Sequence, residues 1–172
     1  MGIRIAMSRV HPGRIVYAPL LLWACLSNGS GAVQQQTAVF SESPRAVIEA
    51  LSAVLVERGE LEAAAAREVS ESAVAAFESE RAAELSSESS ELTRAELAAL
   101  VPEDARRFVG DGGGRYVVSI AIEAADGATR VTVTPTLVAY VPGMEDPLGG
   151  RPLPSNGTLE RAILAALAER LG

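Results

Sequence analysis

The chain has 172 residues and a formal net charge of −7, with every basic residue an Arg, a single His and a single Cys. That balance excludes a nucleic-acid footprint, which needs a basic surface, and disfavours broad contact with anionic head groups. One Cys excludes an intramolecular disulfide, and the length suits one domain with a real core.

In chain order, Met1 to Arg14 carries Arg4, Arg9 and Arg14 and no acid. The apolar run Ile15-Val16-Tyr17-Ala18-Pro19-Leu20-Leu21-Leu22-Trp23-Ala24 follows. A positive segment before a short apolar one is the layout of a secretory signal, and the run is about half of what a bilayer core requires. Leu22-Trp23-Ala24-Cys25 closes it and resembles the lipobox of bacterial lipoproteins, with Trp23 bulkier than the usual residue at its position. The resemblance implies that Cys25 receives a diacylglycerol, becomes the new N-terminus and is acylated there. The alternative is plain secretion, with cleavage near Ser30-Gly31-Ala32 and Cys25 lost in the removed peptide.

The expected organisation is a signal peptide over 1–24, a lipidated Cys25 with a flexible tether through 36, and one domain over 37–172. Such a mature chain has no His, Lys or Trp and no free thiol, because His11 and Trp23 go with the signal. Ser-His, Cys-His and Schiff-base chemistry are then excluded, as are zinc sites built from His and Cys. Carboxylate chemistry, Ser or Tyr with an Arg, or no chemistry remains. No cofactor is called for.

Within the domain, Thr37 to Phe40 reads as a short strand. Ser43 as N-cap, Pro44 at the first helical position and Val47, Ile48, Leu51, Val54 and Leu55 at helical spacing predict a helix over Pro44 to Arg58. Glu60 to Ser90 is ambiguous. Its Ala, Glu and Arg content favours helix; the rival is a hairpin with strands at Leu61 to Ala66 and Ser72 to Glu78. Ser86 to Ser90 is expected as a loop. Thr93 and Glu96 form a capping box for a short helix that Pro102 ends.

After Gly110 to Gly114 the period becomes two. Tyr116, Val118, Ile120 and Ile122 share one face, Ala125-Asp126-Gly127 turns the chain, and Val131 and Val133 alternate with Thr132 and Thr134 on the return. Pro135 requires an edge position or a bulge. Pro142 to Pro154 reads as a loop. Thr158 is expected to cap a last helix carrying Leu159, Ile163, Leu164, Leu167 and Leu171. The order predicts an α+β fold: an antiparallel sheet with two or more amphipathic helices packed on one face.

Phe40 to Gly59, the hairpin Arg115 to Val141 and the helix Thr158 to Leu171 together resemble small helix-grip envelope lipoproteins such as the BamC subunit of the outer-membrane assembly machine. The resemblance is one of pattern across Thr37 to Leu171. It implies an accessory or scaffolding role, transfers no site residue, and requires two strands between Glu60 and Glu78.

Several groups suggest chemistry, each beside a plainer reading. Gly110 to Arg115 could cradle an anion with backbone amides, or simply connect. Glu145 and Asp146 could hold calcium, although two acids in a Pro/Gly loop are commonplace. Glu123 and Asp126 could act as an acid pair, although they belong to a turn. Arg106-Arg107-Phe108 could grip a carboxylate, or pair locally with Glu103 and Asp104. The stretch Tyr140 through Asn156 is the first choice for an exposed functional surface, with Tyr140, Glu145, Asp146, Arg151 and Asn156 as its candidates.

The expected protein is therefore a non-enzymatic lipoprotein of the cell envelope, facing the periplasm and most naturally in the outer membrane. Its partners would be the membrane, through the anchor, and an envelope protein. A ligand- or ion-binding module and a carboxylate-dependent hydrolase are the alternatives.

Overall fold

The computed structural model describes residues 35–141 and 150–172. The element order is β1 (Gln36–Phe40), α1 (Pro44–Glu57), α2 (Ala63–Glu80), β2 (Ala82–Ser86), β3 (Ser90–Leu92), α3 (Arg94–Leu100), a 3-10 helix (Glu103–Phe108), β4 (Gly114–Ala125), β5 (Ala128–Tyr140), β6 (Gly150–Leu153) and α4 (Thr158–Leu171). The fold is α+β, with all strand pairs antiparallel.

The long hairpin β4–β5 organises the sheet. Asp126 (φ 46°) and Gly127 (φ 85°) occupy its two turn positions in the left-handed region. An Asp-Gly turn of that hand matches the twist of the flanking strands. The alternation then sets the faces: Ile122 lies opposite Val131, Ile120 opposite Val133 and Tyr116 opposite Leu137. The Ile and Val side chains of this row are fully buried.

Short strands flank the hairpin in pairs. β1 and β6 follow one another along the free edge of β5, while β2 and β3 do so along β4. Pro135 falls between them: β1 pairs as far as Val133 and β6 begins at Leu137. On the other side Val118 uses both backbone groups on Ser87, donating to Ser87 Oγ and accepting from Ser87 N. Val118 therefore turns away from β5, and Pro135 opposite it aims its nitrogen into the unpaired gap. The proline thus removes no ladder hydrogen bond.

One face of the sheet carries the core. α1 buries Val47, Ile48, Leu51, Val54 and Leu55, and α4 buries Leu159, Ile163 and Leu167. Each such aliphatic side chain stabilises the fold by about 1.5–3 kcal/mol. α2 contributes Ala73, Val74 and Phe77. The opposite face bears Thr132, Thr134 and Thr136 of β5 with Val117, Ser119 and Ala121 of β4, all half-buried or exposed.

The structure corrects the sequence reading in four places. The helical reading of the ambiguous stretch holds for Ala63–Glu80, where the helix-grip resemblance requires two strands, but Ala82–Ser86 is a strand. Its alternation, Ala83 and Leu85 inward with Glu84 and Ser86 outward, is imposed by pairing with β4. The expected serine loop shrinks to 87–89, since Ser90–Leu92 pairs with β4. Part of the expected proline-rich loop, Gly150–Leu153, is β6.

Thr158, expected as a cap, is the first helical residue of α4. The N-cap is Gly157 (φ 80°). The preceding residues do the capping: Gly157 N donates to Ser155 Oγ at 3.0 Å and Thr158 N donates to Asn156 Oδ1 at 3.0 Å.

Candidate interaction surface

Cys25, Glu145 and Asp146 lie outside the described residues. The other candidates gather at the end of the sheet where β5 leads out and β6 returns. Tyr140, last residue of β5, donates its hydroxyl to Glu91 Oε2 of β3 at 2.5 Å, reaching across β4. That bond, more than burial, pushes the Tyr140 phenol upward. Arg115 lies opposite both Glu91 and Val138 in the register, so it shares this cluster.

The glycine-rich segment before β4 is occupied by its own chain. Gly113 N donates to Gly110 O at 3.2 Å, and Gly113 O accepts from Tyr140 N at 3.0 Å. Arg94 pairs with Asp111 at 2.6 Å. These contacts make the segment a turn, the plainer of its two readings.

Asn156 is similarly committed. Its amide donates to Ala99 O at 2.8 Å, its backbone N donates to Leu100 O at 2.8 Å, and its carbonyl oxygen accepts from Thr158 N. The residue ties the start of α4 to the end of α3.

Arg151 makes the contact that sequence spacing did not reveal. β6 pairing sets it opposite Ala139. From there its guanidinium carbon lies 3.6 Å from the ring centroid of Phe108, at the end of the 3-10 helix. Arg107 approaches the same ring at 4.7 Å. Two cations therefore share one half-buried ring, each held by the ring quadrupole. Arg106 donates Nε to Ala98 O at 3.1 Å instead.

The expected local pairing with Glu103 and Asp104 does not form. Among the described residues no carboxylate lies in ion-pair contact with Arg106, Arg107 or Arg151. Two exposed guanidinium groups on an acidic chain, fixed by a shared ring and without a carboxylate partner among the described residues, can accept an anion.

The proposed acid pair does not assemble. Glu123 is 54% exposed and faces Arg130 across the hairpin at 3.6 Å, and Asp126 belongs to the turn. Two buried carboxylates appear elsewhere: Glu60 at 1% exposure and Glu160 at 0%. Neither was singled out from sequence, where Glu60 opens the ambiguous stretch and Glu160 falls in the first turn of the expected last helix. Two surface depressions run along α1 and α2, the smaller about 330 Å³ and lined by Pro44, Ile48, Val74 and Phe77. Neither touches the candidates above.

Glu160 sits in the first turn of α4, where Ser155 Oγ donates to Oε2 at 2.9 Å while Oε1 has no partner. Burial pushes its carboxyl above the ordinary value of 4.5, against the weaker opposing pulls of its own backbone N–H, the Ser155 hydroxyl and the Arg161 charge. The native state then keeps this proton to a higher pH than the unfolded chain does. The stabilisation is complete below about 4.5 and is lost as pH rises through the folded value. Glu160→Gln cannot titrate, so its stability relative to wild type should improve steadily with pH over that window. Urea unfolding at a series of pH values checks this, and parallel curves for the two proteins would refute the assignment.

No family model matches the chain, and no curated protein and no solved structure matches it.

Proposed function

We propose that this protein is a non-enzymatic lipoprotein of the cell envelope, tethered by lipid on Cys25, that docks an acidic segment of an envelope protein. The carrying observation is the convergence of Arg107 and Arg151 on the Phe108 ring. An Arg fork accepts a carboxylate bidentately, and stacking on the ring limits the side-chain freedom lost on binding. An exposed ion pair alone is worth only about 0.2–1 kcal/mol, so two prearranged forks suit recognition of a run of acids rather than one. The tether reading rests on Leu22-Trp23-Ala24-Cys25, with the first strand beginning at Gln36, a short span beyond the cysteine.

Two measurements test the two halves separately. Intact mass of the membrane-extracted chain should begin at Cys25 with diacylglyceryl and acyl additions, and Cys25→Ser should release the protein from the membrane fraction. A chain retaining Met1, or starting downstream unmodified, would overturn the anchor. For the docking half, photocrosslinking from position 104 in intact cells should capture a discrete acidic partner. The product should fall about tenfold in Arg107→Gln/Arg151→Gln, as loss of roughly 1.4 kcal/mol predicts. Unchanged yield in that variant would overturn the docking site.

A further inference from the structure

Both asparagines of the chain, Asn28 and Asn156, precede a glycine. A glycine nitrogen has no Cβ beside it and can approach the preceding carboxamide closely. Its attack on Cγ is the ordinary route by which asparagine becomes aspartate. Asn28 lies outside the described residues, whereas Asn156 stands at a junction. Its Nδ2 donates to Ala99 O at 2.8 Å and to Val101 O at 3.4 Å, at the end of α3. Its Oδ1 accepts from Thr158 N at 3.0 Å, at the start of α4. Gly157 N, the nucleophile, donates to Ser155 Oγ at 3.0 Å.

In this closed arrangement both ends of the carboxamide and the attacking nitrogen are held by other partners. The reaction therefore waits on a local opening in which 155–158 lets go of α3. Asn156 is only half-buried, so that opening exposes little core. We infer that Asn156-Gly157 is a self-modifying site of the folded protein, gated by release of this segment from α3. In the open form Gly157 N loses its proton to solvent base and attacks Asn156 Cγ. The N–Cγ bond forms, the Cγ–Nδ2 bond breaks, and Nδ2 leaves as ammonia with protons from water. Water then opens the succinimide ring at either carbonyl. One cut gives aspartate; the other, through the former main-chain bond, gives isoaspartate.

The product cannot reclose as before. An aspartate has acceptor oxygens and no donor, so an oxygen replaces Nδ2 against Ala99 O and Val101 O, and both carbonyls lose that partner. The new negative charge also faces the carbonyl end of α3, where a helix disfavours it. The bond from Thr158 N survives in aspartate, so the start of α4 is kept and the loss falls on the α3 side. Arg106 holds the adjoining Ala98 O, and α3 leads directly into the 3-10 helix. The conversion is thus a one-way loosening of the brace beneath that helix.

Peptide mapping by mass spectrometry follows the site in the full-length protein, held for days in mildly alkaline buffer with and without denaturing urea. Native wild type should accumulate aspartate and isoaspartate at position 156, with isoaspartate in excess. It should do so at least about tenfold more slowly than in urea, as a junction open less than a tenth of the time requires. This comparison needs no variant. Ser155→Ala frees Gly157 N and, with its fold checked by circular dichroism, should convert several-fold faster than wild type in native buffer and at the same rate in urea. Asn156→Asp, made directly, should unfold at a lower urea concentration than wild type. No conversion in the native protein while the urea sample converts would overturn the proposal. So would equal rates in the two conditions, aspartate formed without isoaspartate, an unchanged native rate in folded Ser155→Ala, or an Asn156→Asp protein as stable as wild type.

Discussion

Gly113→Ala is expected to destabilise the fold by about 4 kcal/mol or more, near the upper end of single-substitution effects. Gly113 has φ +68°, and a Cβ built there would lie 2.1 Å from Leu92 O and 2.9 Å from Thr93 C. The left-handed conformation alone costs an L-residue about 1–2 kcal/mol. The remainder comes from backbone atoms that have nowhere to move, because Leu92 is held in β3 opposite Gly114 and Thr93 caps α3 through its capping box. Gly127 isolates the first contribution: φ is +85° and no atom lies within 4 Å of its Cβ position. Gly127→Ala should therefore cost only about 1–2 kcal/mol. Urea unfolding of the two variants separates strain from overlap, and equal losses would show that the β3–α3 connection does not press on Gly113. The same connection positions the 3-10 helix, so Gly113→Ala should also loosen the stacking of Arg107 and Arg151 on Phe108.

The elements legible in the sequence are those whose pattern is self-sufficient. Residues 114–140 alternate over many positions around an Asp-Gly turn, so strand, turn and buried face follow from local chemistry. The helices at Pro44–Glu57 and Thr158–Leu171 announce themselves by apolar spacing. The short strands do not. Ala82–Ser86 has two inward residues and weak strand propensity, and Gly150–Leu153 contains a glycine and a proline. Both are strands because a long neighbour offers an unpaired ladder. That gap propagates to the surface candidate. Arg106-Arg107-Phe108 and Arg151 were each visible as residues of interest, yet they meet only because β6 returns along β5. The buried acids were hidden for a related reason. Glu in a loop or in a first helical turn is normally solvated, and only the packing of the sheet end decides otherwise.

Arg58→Met should cost about 3 kcal/mol, because it strands a carboxylate inside the protein. Glu60 is 1% exposed; its Oε1 accepts from Arg58 Nε at 2.8 Å and from the Tyr116 hydroxyl at 2.8 Å, while Oε2 has no partner. The backbone holds the residue in place, since Glu60 N donates to Leu55 O and Glu60 O accepts from Glu88 N, each at 2.8 Å. With its side chain confined, the charge cannot swing into water when the guanidinium is removed. Tyr116→Phe should cost less, about 1.5–3 kcal/mol, as the loss of one hydrogen bond to a charged group. The cluster also raises the Tyr116 phenol, by burial first and by the adjoining carboxylate second, so this hydroxyl remains a donor at neutral pH. Because both donors meet one oxygen, the double variant should depart from additivity by at least about 0.5 kcal/mol. The decisive comparison is Arg58→Met/Glu60→Met/Tyr116→Phe. Removing the carboxylate together with its partners leaves no unmatched charge, and such replacements are often neutral or stabilising. The triple variant should therefore unfold at a higher urea concentration than Arg58→Met alone. If it is the weaker of the two, the three residues contribute through packing, and the penalty in Arg58→Met does not come from an isolated charge.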